Sequence, residues 1–187
     1  MNTKFDFKKI KLLSLGLGLS GFIILVSILL ITLFLSISNQ FNFESDNFGE
    51  DEYIVTKVID GDTIEATRNG ITLKIRYIGV DTPETVKPNT PVQCFGEEAS
   101  NFNKQLVMGK KVRLESDTGD EDRFNRKLRY VYIAEGNSSG AMVNELLISE
   151  GYATLETVPP NTKYVEKFKE EEKKAREAGK GLWSKCR

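Results

Sequence analysis

Three short apolar runs near the middle of the chain constrain its fold more than any other feature. They cover residues 53–59, 62–68 and 71–79, and the turn-forming pairs Asp60-Gly61 and Asn69-Gly70 separate them. Strands joined by such short turns are antiparallel neighbours. The runs therefore predict a three-stranded meander.

Asp62 is a charged residue on the apolar side of this meander. It has the same strand parity as Ile64 and Ala66 and so faces the same side of the sheet. An inward carboxylate needs a compensating partner, because an unpaired buried charge is costly. A hard cation would serve, since Ca²⁺ takes oxygen ligands from carboxylates, carbonyls and water.

The remainder of the chain predicts a small α+β domain. Helical spacing covers residues 97–108, 141–150 and a last helix from an N-cap at Thr162 to about 178, and strand alternation covers 111–115 and 128–133. Polar residues 116–126 and residues 151–160 are expected to be loops. Five strands with three interleaved helices result.

The N-terminal region carries an uncharged run over residues 12–37. As a helix it would be about 39 Å long, more than the hydrocarbon core of about 30 Å. Four lysines precede it, which predicts a cytoplasmic N-terminus. We interpret residues 1–11 as cytoplasmic, 12–38 as a single transmembrane signal-anchor and 39–52 as an acidic linker.

Residues 53–187 then form one domain outside the cytoplasmic membrane, which places the protein in the cell membrane with a single span. Cleavage after the small residues around Ser38 would release the domain as a secreted protein. Two cysteines bear on this location, Cys94 and Cys186. They are free thiols in a cytoplasmic domain, whereas oxidising conditions outside favour a disulfide between them.

The sequence contains no histidine, which excludes mechanisms that need an imidazole base. Zinc sites built on cysteine and histidine spacing are excluded too. Residues 51–187 carry 22 Lys and Arg and 23 Asp and Glu, so net charge gives no support for nucleic-acid binding, and any such contact must come from a local cluster. Chemistry therefore depends on carboxylates, arginines, lysines or a metal.

Several motifs, in this order, resemble the staphylococcal nuclease (thermonuclease) family. They are Asp60-Gly-Asp-Thr63, Arg76 with Val80-Asp-Thr-Pro-Glu84, Asp122-Arg-Phe-Asn-Arg126, Met142-Val-Asn-Glu145 and Gly181-Leu-Trp-Ser184. The resemblance covers residues 53–187. It implies an OB-fold, a five-stranded Greek-key barrel with three helices.

The resemblance also implies a calcium-dependent hydrolysis of DNA and RNA with low sequence specificity, leaving 3′-phosphate ends. Asp62, Asp81 and the Thr82 carbonyl would hold Ca²⁺, and Glu84 would activate or position the attacking water. Arg76 and Arg126 would clamp the phosphate, because planar guanidinium groups match its oxygens. No protein partner is evident, and a monomer is expected.

Departures from the family pattern concern the grip on the substrate. Arg123 and Phe124 stand where the family has a basic residue and a tyrosine near the terminal phosphate. Thr157 and Pro159 stand where the family has two tyrosines that pack against the nucleotide, so binding is expected to be weak. Asn125 replaces a glycine but tolerates left-handed backbone.

Each of these residues also has a simpler explanation. Asp62 and Asp81 suit ordinary turns, Glu84 suits a solvated loop, and most arginines form surface ion pairs. The alternative function is a noncatalytic OB-fold module that binds single-stranded nucleic acid or a protein partner. A structural cell-surface module is a third hypothesis.

Overall fold

The computed structural model describes residues 19–40, 49, 51–85 and 91–186. The chain divides into two compact units, residues 1–47 and 48–187. The first unit contains helix α1 (Leu19–Gln40). Within the described residues, no helix combines the length and the apolar character needed to cross a membrane. The predicted segment 1–11, residues 12–18 of the predicted span and most of the linker lie outside that part.

The second unit is built on a closed barrel, in which the strands follow the order β1-β2-β3-β6-β5. The seven strands are β1 (Glu52–Val58), β2 (Thr63–Arg68), β3 (Ile71–Tyr77), β4 (Val80–Asp81), β5 (Lys111–Glu115), β6 (Lys127–Ile133) and β7 (Thr154–Leu155). Strands β1 and β5 pair antiparallel and close the barrel, while β3 and β6 pair parallel. The predicted five-stranded barrel is confirmed, and its strand order is consistent with the OB-fold.

The helices of this unit are α2 (Gly96–Val107), α3 (Val143–Ser149), α4 (Val165–Glu177) and α5 (Leu182–Lys185). The three predicted helices are present, and the short α5 is an addition. The predicted N-cap at Thr162 is wrong, since α4 begins at Val165. The reason is tertiary: the Lys163 amide donates to the Asp117 carboxylate (3.0 Å), and this contact holds the preceding residues in a turn.

The third predicted strand, residues 71–79, ends earlier than expected. Strand β3 stops at Tyr77 because Gly79 adopts a left-handed φ of 80° and turns the chain. A Cβ on Gly79 would lie 2.8 Å from the Phe168 ring, so the turn packs tightly against α4. The chain then enters β4, which pairs with β7 rather than with the barrel.

The barrel core follows the predicted alternation of the strands. Fully buried apolar side chains come from alternate strand positions and from the helices, among them Val55, Ile64, Ala66, Ile75, Val112, Val131, Leu147 and Phe168. Burying a large aliphatic or aromatic side chain contributes about 1.5–3 kcal/mol. Asp62 is buried too, as its strand parity predicted, with 5% of its surface exposed.

Asn144 ties helix α3 to the barrel by polar contacts inside the core. Its side chain is fully buried, accepts from the Val131 amide (2.9 Å) and donates to the Ile78 carbonyl (2.9 Å). These bonds supply hydrogen-bond partners to two backbone groups inside the fold. Asn144 therefore fixes the turn after β3, from which β4 departs.

We expect Asn144→Ala to lower the free energy of unfolding by about 2–4 kcal/mol, because two buried backbone groups lose their partner. Urea unfolding measures the change. Asn137→Ala is the matched control, since Asn137 is exposed. Equal stability of the two variants would contradict a structural role for the Asn144 amide.

Candidate active site

A polar cleft of about 200 Å³ lies where β2, β3 and β4 meet. Its lining consists of Asp60, Asp62, Arg76, Asp81, Thr82, Pro83, Glu84 and Arg126. Six residues that the sequence nominated for metal or catalytic roles thus lie together. Arg123 and Phe124 line instead a neighbouring groove of about 510 Å³, which Arg76 and Arg126 also border.

The Asp62 carboxylate joins the start of β2 to the end of β4. Its Oδ2 accepts from the Thr82 amide and the Thr82 hydroxyl, each at 2.9 Å. The same oxygen lies 3.1 Å from Nη1 of Arg76. Gly61 permits this approach, because a Cβ there would lie 2.6 Å from the Thr82 hydroxyl oxygen. The Asp-Gly-Asp turn is therefore shaped by packing as well as by turn preference.

Arg76 is held near the end of β3 by a carbonyl and by carboxylates. Its Nη1 donates to the Val80 carbonyl (2.6 Å), while Nη2 lies 3.2 Å from Asp81 and 2.9 Å from Glu156. Only 11% of the side chain is exposed. The guanidinium is thus fixed in orientation, with Nη2 directed towards the more exposed side of the cleft.

Glu156 is the site residue that sequence reasoning missed. It follows β7 in a segment that was expected to be a plain loop. The antiparallel pairing of β7 with β4 brings it beside Arg76, and its amide donates to the Gly79 carbonyl (3.2 Å). Its pairing with an arginine 80 residues away depends on tertiary structure, and no local pattern signals it.

Arg126, which also lines the cleft, is anchored by Asp122. Its Nε lies 2.7 Å from Oδ2 of Asp122, and its amide donates to Oδ1 (3.0 Å). Burial of Asp122 opposes its ionisation, but these bonds outweigh it and lower the pKa. Asn125 adopts a left-handed φ of 58°, so the turn forms without glycine. The Arg126 and Arg123 guanidinium groups lie over the Phe124 ring.

Crowded carboxylates dominate the electrostatics of the cleft. Burial and the adjacent Asp62 charge raise the pKa of Asp60 to about 6. Burial raises the pKa of Asp81 as well. The nearby Arg76 charge lowers this pKa and offsets only part of the effect, and neighbouring carboxylates raise the pKa further. Four carboxylates (Asp60, Asp62, Asp81 and Glu84) and only two arginines line the cleft, an arrangement that favours a bound cation.

The donor atoms suit a hard cation, because they are oxygens of carboxylates and carbonyls. In the described part of the chain, however, no three Asp, Glu or Cys side chains come close enough to hold an ion by themselves. An ion bound by Asp62 and Asp81 would therefore need further oxygens, such as the Thr82 carbonyl and water.

Glu84 is held through its backbone on the rim of the cleft. Its amide donates to Oε1 of Gln93 (2.8 Å), and its carbonyl accepts from the Gln93 amide (2.9 Å). Its own carboxylate accepts from the Thr85 amide (3.1 Å). Pro83 precedes it and restricts the backbone. The direction of the Glu84 side chain is thus supported from both sides.

Thr157 and Pro159, which stand where the family has tyrosines, lie differently relative to the larger groove. Pro159 lines the larger groove beside Val158, whereas Thr157 is not among its lining residues. Tyr152 does not substitute for a tyrosine there, because it stacks on a ring of α2 with centroids 4.0 Å apart. The Tyr164 hydroxyl bonds to residues of β5 and β6.

The cysteines Cys94 and Cys186 are joined by a disulfide, with an S–S distance of 2.04 Å and Cα atoms 5.8 Å apart. The bond links the segment before α2 to the residue after α5. Both cysteines line a hollow that Asp81 and Thr82 also line. The disulfide therefore lies near residues that also line the candidate active site.

A closed five-stranded barrel with a carboxylate-rich cleft, which two oriented arginines also line, defines the class: a barrel protein of the OB type with a polar surface site. The model of the family described as staphylococcal nuclease homologue matches residues 74–185. This chain belongs to that family.

Curated relatives agree with this assignment. The chain is 42% identical to the thermonuclease of Staphylococcus hyicus over 168 residues, covering 88% of this chain and 96% of that protein. It is 38% identical to the thermonuclease of Staphylococcus intermedius, covering 89% and 97%. It is 46% identical to the SPbeta prophage-derived endonuclease YokF of Bacillus subtilis (strain 168), covering 69% and 43%. The chain is a nuclease.

Glu156→Gln is expected to lower KM for nucleic acid by up to about fivefold, the equivalent of about 1 kcal/mol, with little change in kcat. The physical reason is that Glu156 competes with substrate phosphate for Nη2 of Arg76. Steady-state cleavage kinetics measure the effect. Glu166→Gln, an equal charge change at an exposed position of α4, is the control. A higher KM in Glu156→Gln would show that the orientation of Arg76 by Glu156 matters more for substrate binding than competition between Glu156 and phosphate.

Proposed function

We propose that this nuclease is a Ca²⁺-dependent endonuclease that hydrolyses DNA and RNA with low sequence specificity and leaves 3′-phosphate ends. The supporting observation is the cleft that gathers Asp62, Arg76, Asp81, Glu84 and Arg126 from separate elements. The family relatives that are named thermonucleases and an endonuclease agree with it.

Asp62, Asp81 and the Thr82 carbonyl would hold the metal. A bound Ca²⁺ supplies positive charge that offsets the charge of the phosphate and polarises it towards attack. The excess of carboxylates over arginines in the lining of the cleft supports this assignment. The oxygen-only donor set favours Ca²⁺ or Mg²⁺ over softer metals, and family resemblance favours Ca²⁺ between the two.

Glu84 is proposed to accept a proton from the attacking water or to orient that water. Its carboxylate borders the cleft, and its backbone is held on both sides by Gln93. Attack of the water oxygen on phosphorus breaks the bond to the 5′-oxygen, so the phosphate remains on the 3′ side. A positioned general base of this type contributes about 10²–10⁴-fold in rate.

Arg76 and Arg126 are proposed to donate to the phosphoryl oxygens as negative charge develops there. Both are already oriented by carboxylates, Arg76 by Glu156 and Asp81 and Arg126 by Asp122. Phosphate oxygens would replace some of these partners. Planar guanidinium groups that are oriented beforehand lose less freedom when they bind substrate.

The larger groove is proposed to receive the nucleotide next to the scissile phosphate. Phe124 is 61% exposed at its border, where an aromatic face can stack on any base. Stacking without base-edge contacts favours low sequence specificity. The near-neutral charge of the domain predicts weak, salt-dependent binding of short oligonucleotides.

We further propose that residues 12–38 anchor the protein in the cytoplasmic membrane and that the nuclease domain lies outside it. The lysines before the uncharged run support this orientation. The disulfide between Cys94 and Cys186 supports an oxidising surrounding. Cleavage of the anchor would give a secreted nuclease. We expect the protein to act as a monomer.

The protein should cleave single-stranded DNA and RNA in the presence of Ca²⁺, and cleavage should stop when a calcium chelator is added. Glu84→Gln should reduce kcat by about 10²-fold or more, since it removes the proton acceptor, and keep the calcium-induced thermal shift. Cleavage assays and thermal melting measure both. The products should become substrates for polymerase extension only after phosphatase treatment.

Three outcomes would count against parts of this proposal. Cleavage that persists in chelator would exclude a required Ca²⁺. Tight binding without any cleavage in saturating Ca²⁺ would favour the noncatalytic OB-fold module. A wild-type kcat in Glu84→Gln would remove the proposed role of Glu84 while leaving the metal assignment intact.

For location, protease added to intact cells should remove the nuclease domain, because the domain lies on the outer side of the membrane. Thiol reagents should label Cys94 and Cys186 only after reduction. Labelling of unreduced protein from intact cells would refute the disulfide. A domain that becomes protease-sensitive only after lysis would refute the outward orientation.

A further inference from the structure

Gln93 forms a closed ring of hydrogen bonds with the backbone of Glu84. The side-chain Oε1 of Gln93 accepts from the Glu84 backbone amide at 2.8 Å. The backbone amide of Gln93 donates to the Glu84 carbonyl at 2.9 Å. Two bonds to one residue restrain both ends of that residue's backbone. The direction in which the Glu84 side chain leaves the chain therefore depends on where Gln93 lies.

The start of α2 packs against the same backbone. A Cβ on Gly96 would lie 2.8 Å from Cγ2 of Thr85, 3.0 Å from the Glu84 carbonyl and 3.1 Å from the Pro83 carbonyl. Gly96 is buried, so this contact leaves no room for a side chain. The segment from Gln93 to Gly96 thus forms the support on which residues 83–85 rest.

The disulfide fixes this support to a distant part of the fold. Cys94, the residue after Gln93, is bonded to Cys186 beyond α5. The first residue of α5 is itself held, since the Leu182 amide donates to the Gly151 carbonyl at 2.9 Å. The chain around Cys94 is therefore tied covalently to a segment that is hydrogen-bonded to the loop after α3.

This tie matters because the side chain of Gln93 is exposed. An exposed hydrogen bond is readily exchanged for one to water, and its net contribution is only about 0.5–1.5 kcal/mol. A covalent bond one residue away limits how far Gln93 can move when the bond opens. The disulfide and the hydrogen bonds thus act on the same short segment.

We propose that Gln93 is a positioning residue for Glu84 and that the Cys94–Cys186 disulfide keeps Gln93 in place. This inference rests on the role proposed above for Glu84. Small displacements of a catalytic group are costly, since a misplacement of about 1 Å can reduce a rate by about 10²-fold. A residue that only stabilises the fold would not change kcat at temperatures where the protein is fully folded.

The test compares kcat, KM and melting temperature of the full chain in Ca²⁺, with single-stranded DNA as the probe. Gln93→Ala should lower kcat by between about 5-fold and 100-fold with little change in KM, since it removes the acceptor for the Glu84 amide. Gln93→Glu keeps an acceptor oxygen and should restore most of the rate. Gln105→Ala, at an exposed position of α2, should behave as wild type.

The link to Glu84 is tested by combining variants. In a Glu84→Gln background, Gln93→Ala should cause no further loss of kcat, because the group that it positions is already absent. The double variant Cys94→Ser, Cys186→Ser should lower kcat in the same way, measured well below its own melting temperature. Independent, additive losses from Gln93→Ala and Glu84→Gln would overturn the inference.

Failure of this inference is distinguishable from failure of the proposed function. A slow Glu84→Gln together with a wild-type rate in Gln93→Ala would overturn only the role of Gln93. A wild-type rate in Glu84→Gln would overturn the role of Glu84 itself. If the cysteine variant melts at a lower temperature but keeps its kcat, the disulfide is a general stabiliser and does not help to position Glu84.

Discussion

The contact between the buried Asp62 carboxylate and its partners is the interaction on which the site depends. An ionised carboxylate in a barrel interior is costly unless it is paired and hydrogen-bonded. Thr82 and Arg76 supply that compensation, and in doing so they join the ends of β2, β3 and β4. The pairing that compensates the buried Asp62 charge therefore also brings the residues of the candidate active site together.

Both arginines of the cleft, Arg76 and Arg126, are oriented by acids before any substrate is present. Arg76 contacts Glu156 at 2.9 Å and Arg126 contacts Asp122 at 2.7 Å. Orientation in advance favours transition-state stabilisation, because little reorganisation is needed when charge develops. Under the proposed function the same acids would compete with phosphate, so rigid orientation and tight binding would oppose each other at this site.

Local sequence patterns were sufficient for the strands that border the site. Turn pairs and alternation predicted the meander and the inward direction of Asp62, because both depend on residues close together in the chain. Patterns failed where a distant residue decided the backbone. Thr162 does not cap α4, since Asp117 holds the next residue, and β3 ends at Tyr77, since Gly79 turns against Phe168.

The sequence by itself determined the order of elements, the types of charged group available and, through the absence of histidine, the kinds of chemistry that were excluded. Motif resemblance nominated the cleft residues. Only the tertiary structure brings Glu156 to Arg76 and Gln93 to Glu84. It also places the disulfide and Asp81 in the lining of one hollow. These contacts depend on the pairing of β4 with β7 and on the packing of α2. Such long-range geometry follows from burial of the whole core and has no local signature.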